Sequence, residues 1–486
     1  MSVVETLGGK PVGRLLWGNS VQGTISVAFY GVYALTNAWF VARGVGPIAF
    51  AAVTLVSPVM LVLGAVATTV GAGGASLVSR SLGAGDLRQA ARATGTAFLV
   101  FWTAAIILGT AGVLLLDPLL TLLGVTDETR GYAHDYGLIV LAGSITATGF
   151  SSLVRAEGRM RFSTMLWVVP VVTQIVLDPL LIFGFDLGVR GAALGSVGGQ
   201  AVSMLMSLWF FFLQRDRPYR VGLADLRPHW PTLRALVSVG APSFLGGFGA
   251  TLVVALVNNL LVAVGGAVLL SAYAICGRVG TFVLMPQLGI SQGMQPLIGY
   301  DTGRGETGRA DRARTLALRA SVAYGTVACL LVVVFAEPVA AAFTDDPAVR
   351  DAAVGALRII ALSYPLAGVA ILVSAYFQAV GRPIPSYAIS TGVIIAVRVP
   401  LLLVFSLFGV LGLWISFPVA ELVAAGAALA ILSRLRRAEP GRRRPRGHRS
   451  WRVGLPRRAG VIGRRRRLGS RPRPSPSWHG RARGSR

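Results

Sequence analysis

Lysine occurs once in this chain, at Lys10, although lysine and arginine together number 46, so nearly every basic charge is a guanidinium. No G-x-x-x-x-G-K-[ST] phosphate loop is present, which excludes nucleotide hydrolysis by that route. Cysteine is almost as scarce. Cys276 and Cys329 both fall in apolar stretches, where they read as small buried hydrophobes and supply neither a disulfide framework nor a metal motif. The four histidines, His134, His229, His448 and His479, form no cluster, and G-x-S-x-G is absent. The chain shows no catalytic constellation, so an enzyme, a cofactor and a bound metal are not expected. Charged residues make up only 14% of the 486, too few to solvate a soluble surface around so much apolar sequence.

What fills the space is hydrophobic sequence, 54% of the chain, with a mean hydropathy of +0.66. The apolar runs are long and continuous rather than short and alternating, which favours membrane helices over a barrel. Twelve spans are expected, at 15–37, 48–76, 94–116, 134–153, 163–184, 191–213, 236–262, 267–296, 317–336, 353–378, 386–408 and 412–433. No convincing cleavage site follows the first, so a removed signal peptide is not expected.

The spans fall into two similar sets. Pro11 and Arg14 are echoed by Pro231 and Arg234, an offset of 220. The same offset carries Gly83, Gly85 and Asp86 onto Gly303, Gly305 and Glu306, and Asp117 and Pro118 onto Glu337 and Pro338. GVRG at 188–191 faces GVLG at 409–412. The pattern predicts an all-α integral membrane protein of two pseudo-symmetric six-helix lobes, 1–213 and 235–435. A cytoplasmic linker, 214–234, joins them, and its arginines are expected to hold orientation and headgroup contact. From Arg434 onward there are 20 arginines and one acid, so the tail carries +19 of the net +26. Residues 436–486 lack periodicity and are expected to be disordered, with anionic lipid headgroups as their partner. No nucleic-acid module accompanies the tail, so specific nucleic-acid binding is not expected.

An even number of spans puts both termini on one side. With that side cytoplasmic, the cytoplasmic connections hold seventeen arginines and the external ones four, Arg43, Arg130, Arg190 and Arg350. This positive-inside bias predicts a multi-pass protein of the inner (plasma) membrane with cytoplasmic termini.

Charges within the spans point to chemistry. Asp178, in QIVLDPLLIFG, is costly in hydrocarbon unless protonated, paired or facing water, and such residues mark ion or proton paths or brace a helix end. Gln174 lies four residues earlier, on the same helical face. Asn37 places an amide at the outer end of the first span, where it can hydrogen-bond but cannot carry a proton. Tyr136, Thr146, Thr148 and Ser196 could line the same cavity. In the second half Arg278 sits well inside its span, and anion contact and internal bracing are both open to it. Arg358, Arg398 and Glu421 also interrupt apolar sequence.

Several longer signatures carry a resemblance: FVARGVGPIAFAAV at 40–53, GASLVSRSLGAGDLRQA at 74–90, LVRAEGRMRFSTM at 153–165, QIVLDPLLIFGFDLGVRGAALGS at 174–196, ISQGMQPLIGYDTGRGETGRA at 290–310, FQAVGRP at 377–383 and FGVLGLW at 408–414. Together they resemble the multidrug and toxic compound extrusion (MATE) transporters, in particular the DNA-damage-inducible protein F-like branch. The resemblance implies two lobes around a central cleft. It also implies export of small amphipathic or cationic organic compounds by a monomer, against entry of protons, with sodium the other candidate. Asp178 matches the fifth-helix aspartate of that family. Gln174 stands where asparagine is usual, and the first-helix aspartate of the V-D-T-x-F-V-G pattern falls on Asn37. A second function is a flippase for a lipid-linked precursor, which needs solvent-facing arginines at Arg278, Arg358 and Arg398. A membrane scaffold acting through the basic tail is the third.

Overall fold

The computed structural model describes residues 7–147 and 149–437. Thr148 and the arginine-rich tail from 438 onward lie outside the described residues, as does the lipid contact expected of that tail.

Twelve helices occupy the expected spans: α1 (Val12–Gly44), α2 (Pro47–Ala84), α3 (Leu87–Leu114), α4 (Asp127–Ala156), α5 (Met160–Gly184), α6 (Gly188–Leu213), α7 (Trp230–Val264), α8 (Gly266–Gly303), α9 (Thr307–Val334), α10 (Pro347–Ala379), α11 (Pro383–Ser406) and α12 (Gly409–Arg437). Helix is the form that satisfies every backbone group within one segment when the surroundings are hydrocarbon. No strand occurs among the described residues. The ends run past the apolar runs, and α2 continues from 76 to Ala84 before Gly85 stops it in a left-handed conformation. Both α4 and α10 change to a tighter turn part-way, at Gly143–Thr146 and Ala361–Ser363. Short helices Leu116–Leu122 and Ala336–Ala341, not foreseen as elements, sit at matching places after α3 and α9.

The repeat is built into the packing. Left-handed glycines recur at equivalent positions: Gly85 with Gly305, Gly158 with Gly381, and Gly188 with Gly409. Across the seam between the halves, Gly83 lies against the carbonyl of Tyr300 and Gly303 against the carbonyl of Arg80, the same contact with its two members exchanged. Gly240 against Gly73 and Gly293 against Ser20 repeat the exchange about three helical turns further in. Such reciprocity is the signature of a two-fold relation between the halves. A side chain on any of these glycines would strike backbone, so glycine is what lets the helices come this close.

The seam is one-sided. Its contacts run from the end carrying the termini to Gly31 against Met285. Past that point, residues on the same helical faces, Leu35, Val62, Thr251, Arg278 and Phe282, are exposed. The halves are closed on the terminus side, and on the far side these faces are uncovered, which leaves a cleft between them.

The linker departs from expectation. Residues 214–226 are a strap held against the first half. Arg217 is buried in an ion pair with Glu157, also buried, with Nε 3.2 Å from Oε2. Its guanidinium also donates to the Phe211 carbonyl at 2.7 Å and lies over the rings of Phe210, Phe211 and Tyr219. Burial alone would lower the Arg217 pKa, but Glu157 and Tyr219 more than reverse this, and the group is held above its ordinary value. Tyr219 donates to Glu157 Oε1 at 2.7 Å and shares a 2.7 Å hydrogen bond with Thr94 of α3. Arg217 therefore does not serve headgroup contact: it neutralises a buried carboxylate, which a purely local reading of the linker could not reveal.

Candidate functional site

Asp178 lies in α5, one residue before Pro179. Proline lacks the N–H that would close the helical turn, and the chain widens over Leu180–Gly184 before turning into α6. The carboxylate is fully buried inside the first half. Gln174, one turn earlier and equally buried, donates from Nε2 to Asp178 Oδ2 at 3.1 Å and approaches Ser196 Oγ of α6 at 3.5 Å. Asn37, from α1, donates to the same Ser196 hydroxyl at 3.1 Å and lies beside the carboxylate. Tyr136 of α4 is buried close to Ser196. Three helices besides α5 thus converge on Asp178 and Ser196.

Asp178 Oδ1 and Gln174 Oε1 have no hydrogen-bond partner among the described residues. Oδ1 is pressed against the α-carbon of Gly195, where a methyl group would collide with it. An ionised carboxylate with one oxygen left unpaired in an apolar surround costs several kcal/mol relative to its protonated form. The donor from Gln174 serves the ionised form, and the bare Oδ1 suits a proton. The arrangement can therefore take and release a proton without large repacking of the carboxyl itself.

Of the residues singled out in sequence, the structure joins Asp178, Gln174, Asn37, Ser196 and Tyr136. Thr146 is elsewhere engaged, donating to its own turn at Gly143 O, 2.8 Å away. Arg278 is not part of the cluster. It belongs to the second half, on the face of α8 that carries Met285 and Gly289, and is exposed without a hydrogen bond or ion pair among the described residues. The internal-brace reading of Arg278 therefore has no partner to rest on. Arg358 is likewise exposed, whereas Arg398 is paired with Glu421 within the second half. Tyr33 was missed in sequence. It lies one turn before Asn37 on the same face of α1, close to Ser196 and Gln200.

α1 is the wall between the buried acid and the rest of the molecule. Asn37 and Tyr33 point inward to Asp178 and Ser196, while Gly23 and Gly31 meet Gly289 and Met285 across the seam.

The sequence profile of the family described as MatE matches residues 24–180 and 242–425. The chain is 26% identical to the FAD transporter of Shewanella oneidensis over 87% of this chain and 95% of that protein. It is 28% identical to the multidrug export protein MepA of Staphylococcus haemolyticus over 83% and 90%. In fold it resembles a MATE crystal structure in complex with MaL6, with a TM-score of 0.84, 23% identity and coverage of 90% and 99%. It also resembles an outward-facing multidrug resistance MATE transporter of the MOP superfamily, with a TM-score of 0.82, 24% identity and coverage of 90% and 98%.

Proposed function

Because this chain belongs to the MATE family, whose members are transporters rather than enzymes, we propose that it exports small amphipathic organic compounds by alternating access coupled to proton entry at Asp178. The observation that carries this reading is the position of Asp178: fully buried, one oxygen unpaired, and separated from the seam only by α1. Loading a proton on Oδ1 removes the buried charge and weakens the Gln174 bond to Oδ2 from a charge-assisted to a neutral one. α1 then repacks, and the glycine contacts it makes with α8 shift the balance between the two closed ends. The cleft facing the far side is the release route for cargo, and the arginine bias makes the far side external. A proton is favoured over sodium because the site holds a single carboxylate whose Oδ1 is packed against Gly195, leaving little room beside it for a metal ion.

The test is efflux in proteoliposomes under imposed proton and sodium gradients in turn. Asp178→Asn keeps the volume and removes the proton site. We expect proton-driven efflux to fall by about tenfold or more, since a transported proton has no other buried acceptor in that cluster. Efflux at the wild-type rate in that variant, or a drive from sodium alone, sinks proton coupling at Asp178.

A second reading concerns cargo charge. Arg278, exposed and unpaired on the cleft face, favours a cargo that carries negative charge over a purely cationic one. A lipid-linked precursor is one such cargo, and the pairing of Arg398 removes one of the three arginines that reading called on.

A further inference from the structure

A small cavity lies on the two-fold axis at the terminus-side seam, enclosed by α2, α4, α8 and α10. It leaves about 10 Å³ free, room for the centre of about one water molecule. Its walls are mixed, with alanines and Pro296 beside the polar side chains of Arg155, Gln378, Gln292, Gln295, Ser76 and Ser79. Arg155 and Gln378 are equivalent in the repeat, at the third position of LVRAEGR and YFQAVGR. They also make the same hydrogen bond. Arg155 Nη1 donates to Ser163 Oγ at 3.4 Å, and Gln378 Nε2 donates to Ser386 Oγ at 3.1 Å, eight residues on in each half.

This brace explains why a long donor stands at both positions, but a neutral amide makes it in the second half. The charge at Arg155 is therefore surplus to the brace. It is also uncompensated. Arg155 is 91% buried, its other bond goes to Ser152 Oγ at 2.7 Å, and no carboxylate pairs with it among the described residues. Glu157, two residues away, is committed to Arg217. One turn along α2 from Ser76, Arg80, also without a carboxylate among the described residues, donates from Nε to the Ser76 carbonyl at 3.2 Å. The oxygen Oε1 of Gln292 is buried there without a partner. An unpaired buried guanidinium costs free energy that is recovered when an anion arrives.

We propose that this cavity is the closed form of a cargo-recognition site for an oxyanion, a carboxylate or phosphate on the transported organic compound, and that Arg155 recognises it. When the halves part on the terminus side, the walls separate along the axis and Arg155 becomes the first fixed positive charge on the cargo route. This inference rests on the export reading for its place in the cycle, while the anion site itself can be tested without transport.

The probes are riboflavin and riboflavin 5′-phosphate, which share a ring system and differ by one phosphate, with carboxyfluorescein as the carboxylate. Their binding to the detergent-solubilised full-length protein is followed by fluorescence, and their gradient-driven movement is followed in liposomes. Arg155→Gln copies the brace of the second half, so the fold is expected to survive with its thermal midpoint near wild type. The expected result is a loss of about tenfold or more in affinity for the anionic probes, with riboflavin changed by less than about twofold and Arg155→Lys intermediate. Loss confined to the phosphate or to the carboxylate probe assigns the group. Equal losses for riboflavin and its phosphate, unchanged anion affinity in Arg155→Gln, or no anion binding by wild type overturns the proposal. Wild-type protein that binds the anions through Arg155 but moves neither anionic probe leaves the anion site standing and overturns its place on the cargo route.

Discussion

The glycine seam allows a direct test of whether the two closed ends are in balance. Alanine at Gly303 places a methyl group inside van der Waals contact of the Arg80 carbonyl oxygen and 2.9 Å from the Ala84 nitrogen; at Gly83 it meets the Tyr300 carbonyl in the same way. Neither obstacle is a flexible side chain, so the helices themselves must separate. Overpacking of this kind costs about 1–3 kcal/mol, borne only by the state in which the terminus side is closed. At about 1.4 kcal/mol per factor of ten, either substitution shifts the population about five- to 150-fold toward the terminus-open state. Spin labels on Ile48 and Val268, exposed near the far-side ends of α2 and α8, report the change as a shorter far-side distance. Because the two contacts are exchanged by the two-fold relation, Gly83→Ala and Gly303→Ala should produce similar shifts. The double variant should give less than their sum, since one separation relieves both clashes. Gly308, with no atom near its would-be Cβ, is the control and should leave the distances unchanged. If Gly303→Ala behaves like Gly308→Ala, the seam is not what holds the terminus side shut.

Two further predictions concern the strap and the buried acid. Tyr219 is held well above its ordinary pKa by burial and then by Glu157, so its folded pKa is raised above the unfolded value near 10. Its contribution to holding the strap is complete below about pH 10 and is lost as pH rises from there through the folded value. Hydrogen exchange of amides 214–226 should show this alkaline loosening in wild type but not in Tyr219→Phe, which is instead weakened at all pH by about 1–3 kcal/mol through two lost hydrogen bonds; an identical alkaline profile in both refutes the assignment. Gly195→Ala drives a methyl group onto Asp178 Oδ1 and should reduce proton-driven efflux by about tenfold while leaving the far-side distances readable; unimpaired coupling would show that Oδ1 is not the proton's seat.

Most of the architecture was legible in the chain because a bilayer penalises unpaired backbone so heavily that apolar runs can only be helices. The offset of 220 between matched glycines marked the duplication, and the structure places those same glycines at equivalent left-handed turns and at the seam. The Asp178 and Gln174 contact followed from four-residue spacing. Asn37, Tyr136 and Ser196 could be suspected as polar intruders, but their convergence depends on how α1, α4 and α6 pack, which spacing within one helix does not encode. Tyr33 could have been found by stepping one turn back from Asn37. Arg217 was misread because a linker arginine beside a membrane has an ordinary local explanation, and its partner Glu157 is 60 residues away. The match between Arg155 and Gln378 lay in two quoted motifs, LVRAEGR and FQAVGRP, whose offset of 223 differs from that of the surrounding repeat. Placement within the DNA-damage-inducible protein F-like branch rests on the sequence signatures alone.

The strap has a mechanical consequence. Because residues up to the short turn at Leu223–Leu226 are fastened to the first half, with the Asp225 main chain lying against Gly95, the free covalent connection is only Arg227, Pro228 and His229. Three residues stretch to about 10 Å. That length caps the separation of the two anchor points at this edge of the molecule: the halves can tilt about it, but they cannot slide far apart. Lengthening the leash by inserting residues after Arg227 would leave every helix intact and change only how far the machine can travel.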